Sequence, residues 1–72
     1  MASKWTLQIH NEKEDWGSII AIHEFDDFPS LRSKMVETRG RAFLVRPSDR
    51  ATAIETAGLL DLRSQGFNIK QF

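Results

Sequence analysis

The first apolar positions of the chain alternate. In "KWTLQIH", Trp5, Leu7 and Ile9 fall on one side and Lys4, Thr6, Gln8 and His10 on the other, the period of two that marks a half-buried strand. "NEKEDWG" is polar and closes on Gly17, which predicts a hairpin loop. "SIIAIHEF" is β-branched and apolar on both sides, Ile20 and Ile22 against Ile19, Ala21 and Phe25, a pattern that predicts a central strand.

At "DDFPSLRSKMVETRG" the period lengthens. Phe28, Leu31 and Met35 stand at helical spacing with Val36 beside them. Pro29 suits the first helical turn and Gly40 the left-handed residue after the last one. "RAFLVR" is a short strand stopped by Pro47. Ser48 is then the expected N-cap of a second helix, with Asp49 in its first turn. That helix runs through "DRATAIETAGLLDLRSQ", as one piece or as two divided at Gly58, and Gly66 ends it. "FNIKQF" is the last strand.

The order β-β-α-β-α-β predicts a single small α+β domain over residues 1–72. Its sheet is mixed and four-stranded, with both helices packed on one face. The expected core is Trp5, Leu7, Ile9, Phe43, Val45, Phe67 and Ile69 under Leu31, Met35, Ile54 and Leu62. The other face stays open and carries Ile19, Ala21 and Phe25 or their alternates. An exposed apolar sheet face is a common binding surface.

Composition narrows the function classes. The chain has 72 residues, and a domain of that size buries only about 60% of its unfolded surface. Small-molecule sites of roughly 300–1,000 Å³ are hard to enclose in so thin a core. There is no cysteine, hence no disulfide and no thiolate nucleophile or ligand. The opening "MASKWTLQIHNEKEDWG" lacks the apolar core of a signal peptide, and no apolar run approaches the ~20 residues that cross a bilayer. The expectation is a cytoplasmic protein with no membrane partner and no cofactor.

"HEFDD", residues 23–27, is the densest cluster of chemistry-bearing side chains. On an extended strand His23 and Asp27 stand about 13 Å apart, whereas zinc ligands lie within ~2.0–2.2 Å of one centre. A metal or acid–base site therefore requires a sharp bend, or His10 arriving from the neighbouring strand. Capping explains the acids more economically, since Asp26 and Asp27 stand where carboxylates accept the N–H groups of the helix that Pro29 opens. No metal site and no catalytic residue is assigned. No P-loop, dinucleotide fingerprint, HExxH or nucleophile elbow occurs.

The net charge is zero, but it is unevenly spread. Residues 1–27 hold Lys4 and Lys13 against six acids, and residues 28–72 hold eight basic residues against four acids. Arg32, Lys34, Arg39, Arg41, Arg46 and Arg50 form the one basic segment, and arginine suits bidentate capture of carboxylate or phosphate. The reading is a small non-catalytic binding protein, of adaptor or inhibitor type, that docks on a protein partner. Trp16, Arg32, Arg39, Arg41 and Arg46 are its contact residues, with the arginines in a stripe along the first helix and the following strand. A second reading makes the Arg32–Arg50 segment a nucleic-acid-binding surface, and a third, ranked last, is an enzyme or metal protein built around His10, His23 and Asp27. Homodimerisation through the C-terminal edge strand that ends at Phe72 is a separate expectation.

Overall fold

The computed structural model describes residues 4–71. Strands β1 (Trp5–His10), β2 (Ile19–Phe25), β3 (Ala42–Arg46) and β4 (Asn68–Gln71) alternate with helices α1 (Phe28–Glu37) and α2 (Ala53–Ser64) in the order β1-β2-α1-β3-α2-β4. The strands form one sheet in the spatial order β2-β1-β3-β4. β1 is antiparallel to both of its neighbours, and β3 and β4 are parallel. The expected mixed four-stranded α+β domain is the fold found.

Alternation along β1 is strict: Trp5, Leu7 and Ile9 are buried and the residues between them are half-buried. Register carries this face across the sheet, since Leu7 lies opposite Val45 and Ile9 opposite Phe43, which in turn lies opposite Ile69. These residues form one core with Phe28, Leu31 and Met35 of α1 and Leu59 and Leu62 of α2. Both helices therefore cover the same face, and Thr6, Gln8, His10, Leu44, Arg46 and Lys70 lie on the other. No helix among the described residues is long and apolar enough to cross a membrane.

Local signals set the helix starts. Asp27 caps α1 with Pro29 behind it, its Oδ1 accepting the Ser30 N–H at 2.9 Å. α2 begins later than expected. Its N-cap is Thr52, in a capping box with Glu55: the Glu55 N–H donates to Thr52 Oγ1 at 3.2 Å, and the Thr52 N–H to Glu55 Oε1 at 2.9 Å. Ser48 instead shapes the turn before it, its Oγ and backbone oxygen accepting the N–H groups of Arg50 and Ala51. Two reciprocal bonds at Thr52 satisfy more of the first turn's orphan N–H groups than a lone serine could.

Leu59 and Leu62 are fully buried, and Ile54 is 85% exposed, so the expected core position of Ile54 is corrected to Leu59. The helix is a single piece. At Gly58 the ring of Phe28 comes so close that a Cβ would stand 2.8 Å from Phe28 Cε2.

β2 is the second correction, for it is an edge strand, not a central one. Pairing opposite Ile9 and Trp5 places Ala21 and Phe25 on the core side. Ile22, opposite Gln8, and Ile19, opposite His10, therefore lie on the open side, and both are exposed. The register shifts between Ile9 and His10, where Ile19 lies opposite His10 and Ile20 is the extra residue, a bulge that bends the edge. β4 is the other edge, and Phe72 lies outside the described residues.

Candidate functional site

The loop 11–18 is largely exposed, yet it makes contacts back across the open side of the sheet. Its neck is tied by the Asn11 N–H to Ser18 O at 2.8 Å and the Glu12 N–H to Trp16 O at 3.0 Å. Trp16 and Gly17 both have φ of +65°. Glycine adopts this freely, but for a tryptophan the left-handed region costs on the order of 1–3 kcal/mol.

The strained backbone places the indole. Trp16 meets the His10 ring edge-on at 4.9 Å, and Lys70 Nζ lies 5.0 Å from its centroid. His10 Nδ1 is 3.2 Å from Gly17 O. Farther along, Asn68 Nδ2 donates to Lys13 O, while Arg41 Nη1 donates to Asn11 O at 2.7 Å and Asn11 Oδ1 at 3.1 Å. The loop is thus held by β1, by the residue that leads into β3, and by β4. Ala42, which lies between His10 and Asn68 on the open side, is fully buried beneath it.

At this end of the sheet Lys13, Arg39 and Arg41 surround a cavity of about 130 Å³ whose floor includes Gly40, Gly66 and Phe67. The Arg39 guanidinium stacks over the Phe67 ring at 5.3 Å. Two ion pairs lie elsewhere, Lys4 with Asp26 at 3.7 Å and Lys34 with Glu37 at 3.4 Å. Among the described residues none of the three cations has a carboxylate partner. The acids of the loop, Glu12, Glu14 and Asp15, do not line the cavity.

The five contact residues read from the sequence are therefore divided. Arg39 and Arg41 line the cavity beside the loop, and Trp16, within the loop, packs against His10 and Lys70. Arg32 is exposed on α1, in the helix layer. Arg46 lies at the far end of β3, opposite Thr6 and so on the open side of the sheet. A single stripe along α1 and β3 does not form, because the sheet separates its two ends. Lys13 and Lys70 join the site unforeseen. The alternation of "NIK" placed Lys70 opposite in sense to Ile69, but nothing local shows a loop folding back onto it.

The "HEFDD" segment is a strand-to-helix junction. Leu7 opposite His23 sets that imidazole on the core side of β2, whereas His10 faces the open side, so the two histidines are on opposite faces. Among the described residues no three His, Asp or Glu side chains gather closely enough to hold a metal ion. Asp27 is held below the usual carboxylate range by hydrogen bonds from the Ser30 side chain and backbone. A broad cleft of about 370 Å³ lies here, at the helix N-termini. Each of its carboxylates has a partner: Asp26 has Lys4, Asp27 has Ser30, and Glu55 has Thr52.

No known family model matches this chain, and no curated protein or solved structure matches it.

Proposed function

We propose that this protein is a non-catalytic binding module that docks on another protein through the corner built by the 11–18 loop. One observation carries the reading. A tryptophan in a strained conformation shares one end of the sheet with three cations that have no carboxylate partner among the described residues. Tryptophan and arginine are the residues most enriched where binding energy concentrates, and strain in a loop is a pointer to function. Arg32 lies on the helix layer and Arg46 at the far end of the open side, a scatter that supports a protein partner over nucleic acid, whose repeating phosphates call for a continuous basic track.

The test is capture from the protein's own cells with three baits: wild type, Arg39→Ala/Arg41→Ala, and Arg32→Ala/Arg46→Ala. The partner is expected with the first and third and absent with the second. Equal capture by all three, or loss only with the third, refutes the assignment of the site.

A further inference from the structure

We propose that the cavity between Lys13, Arg39 and Arg41 receives a single phosphate group borne on a side chain of the protein partner. The inference rests on the docking reading above and names the chemistry that the corner takes.

Size comes first. A phosphate group, four oxygens around one atom, fits within this depression of about 130 Å³, which is open to solvent on one side. Charge comes second. Three cations and no carboxylate line the cavity, and a phosphorylated side chain brings about −1.5 to −2 charges and three acceptor oxygens. Two of the cations are guanidinium groups, whose planar forks bind such oxygens in pairs.

The donors are already positioned. Arg39 rests on Phe67. Arg41 directs Nη1 to Asn11, leaving other members of its set of five N–H donors available. Both helices end near this cavity, and bare terminal carbonyls would repel an anion. Several of those carbonyls accept hydrogen bonds, however. Lys34 O and Val36 O accept the N–H groups of Thr38 and Arg39, while Asp61 O, Arg63 O and Leu62 O accept those of Gln65, Gly66 and Phe67.

The surroundings favour one concentrated charge over an extended anion. Glu12, Glu14 and Asp15 beside the corner oppose a run of acidic residues. For a nucleic-acid strand, Arg46 is about 16 Å along β3 from Arg41, five rises of ~3.3 Å, and Arg32 is on the helix layer. A phosphorylated segment that is otherwise uncharged meets neither obstacle.

The experiment follows backbone amide NMR signals of the full chain in four titrations: inorganic phosphate against sodium chloride at matched ionic strength, a phosphoserine peptide, its unphosphorylated twin, and an oligonucleotide without terminal phosphate. Saturable shifts at Gly40, Arg41, Gly66 and Phe67 with phosphate but not chloride are expected. The phosphopeptide should bind at least roughly tenfold more tightly than its twin, a ratio consistent with charge-assisted hydrogen bonds. Both responses should weaken in Lys13→Gln and weaken further in Arg39→Gln/Arg41→Gln, which removes two cations instead of one. The Lys13 variant matters because Arg41 also holds the loop, whereas the Lys13 ammonium makes no hydrogen bond among the described residues. Shifts that follow ionic strength alone, shifts unaltered by Lys13→Gln, a phosphopeptide no tighter than its twin, or tighter binding by the oligonucleotide would each overturn the inference. Partner capture that still depends on Arg39 and Arg41 while phosphate gives no response removes this inference and leaves the docking site standing.

Discussion

In an exposed helix interior, replacing glycine by alanine ordinarily stabilises by about 1 kcal/mol, because alanine loses less backbone freedom on folding. At Gly58 the expected sign is reversed. A Cβ there would stand 2.8 Å from Phe28 Cε2 and 3.0 Å from Cζ. The ring cannot simply swing aside, since Phe28 is 8% exposed and packs at 5.2 Å against Trp5. Overpacking of this kind costs ~1–3 kcal/mol, which after the propensity gain leaves Gly58→Ala roughly 1 kcal/mol less stable than wild type. Phe28→Leu removes the two ring atoms that clash, at ~1.5 kcal/mol for about two methylene equivalents. In that background Gly58→Ala should become stabilising by about 1 kcal/mol, a coupling of ~2 kcal/mol in the double-mutant cycle. At ~0.05–0.15 kcal/mol per residue the whole chain is stable by about 4–11 kcal/mol, so all four proteins should fold. Urea unfolding followed by tryptophan fluorescence gives the four values, with an unchanged m-value as the check on two-state behaviour. If Gly58→Ala stabilises the wild type, or destabilises the Phe28→Leu background equally, the close approach of ring and helix is not what selects glycine.

Two further outcomes are expected. The lowered titration of Asp27 means that its charged form contributes stability above its ordinary carboxyl range, a contribution lost as the pH falls through the lowered folded value. Thermal melts of wild type and Asp27→Ala should therefore differ at neutral pH and converge in acid, and a gap unchanged down the acid limb contradicts the capping role. The buried side of α2 is tested by Leu62→Ala, expected to cost ~2–5 kcal/mol, against Ile54→Gln, expected within about 0.5 kcal/mol of wild type; comparable losses in urea melts would mean that the helix faces the core differently.

Much of this architecture is written in local pattern. The alternation of Trp5, Leu7 and Ile9, the Pro29 start and the break at Gly66 are short-range signals, and the strands and helices follow them. The start of α2 was also legible, since Thr52 and Glu55 stand at capping-box spacing, but Ser48 offers a competing cap four residues earlier. β2 misleads for a different reason: apolar residues on both sides describe a fully covered strand equally well as an edge strand whose isoleucines face outward. Ile22, 58% exposed, is the result.

The division of the candidate site has a topological cause. Once Phe43 and Val45 are buried, alternation commits Arg46 to the opposite side of the sheet from α1, so the predicted arginine stripe could have been rejected on parity alone. The convergence of Lys13, Trp16, Arg41 and Lys70 could not have been foreseen in that way. It depends on a loop doubling back across three strands, held by contacts between residues as far apart as Lys13 and Asn68.

The position of β1 also bears on how the chain reaches this state. The strand that comes first in chain order within this sheet occupies an inner place, with its hairpin mate on one flank and a later strand on the other. The hairpin closes over a short loop and forms on the microsecond scale, yet until residues 42–46 arrive it leaves the second flank of β1 unprotected. That docking spans a helix and more than thirty residues of chain, and such non-local closures set the pace of folding. Substitutions at Phe43 or Val45 should therefore slow the search itself, whereas changes confined to the 11–18 turn act on a step already completed.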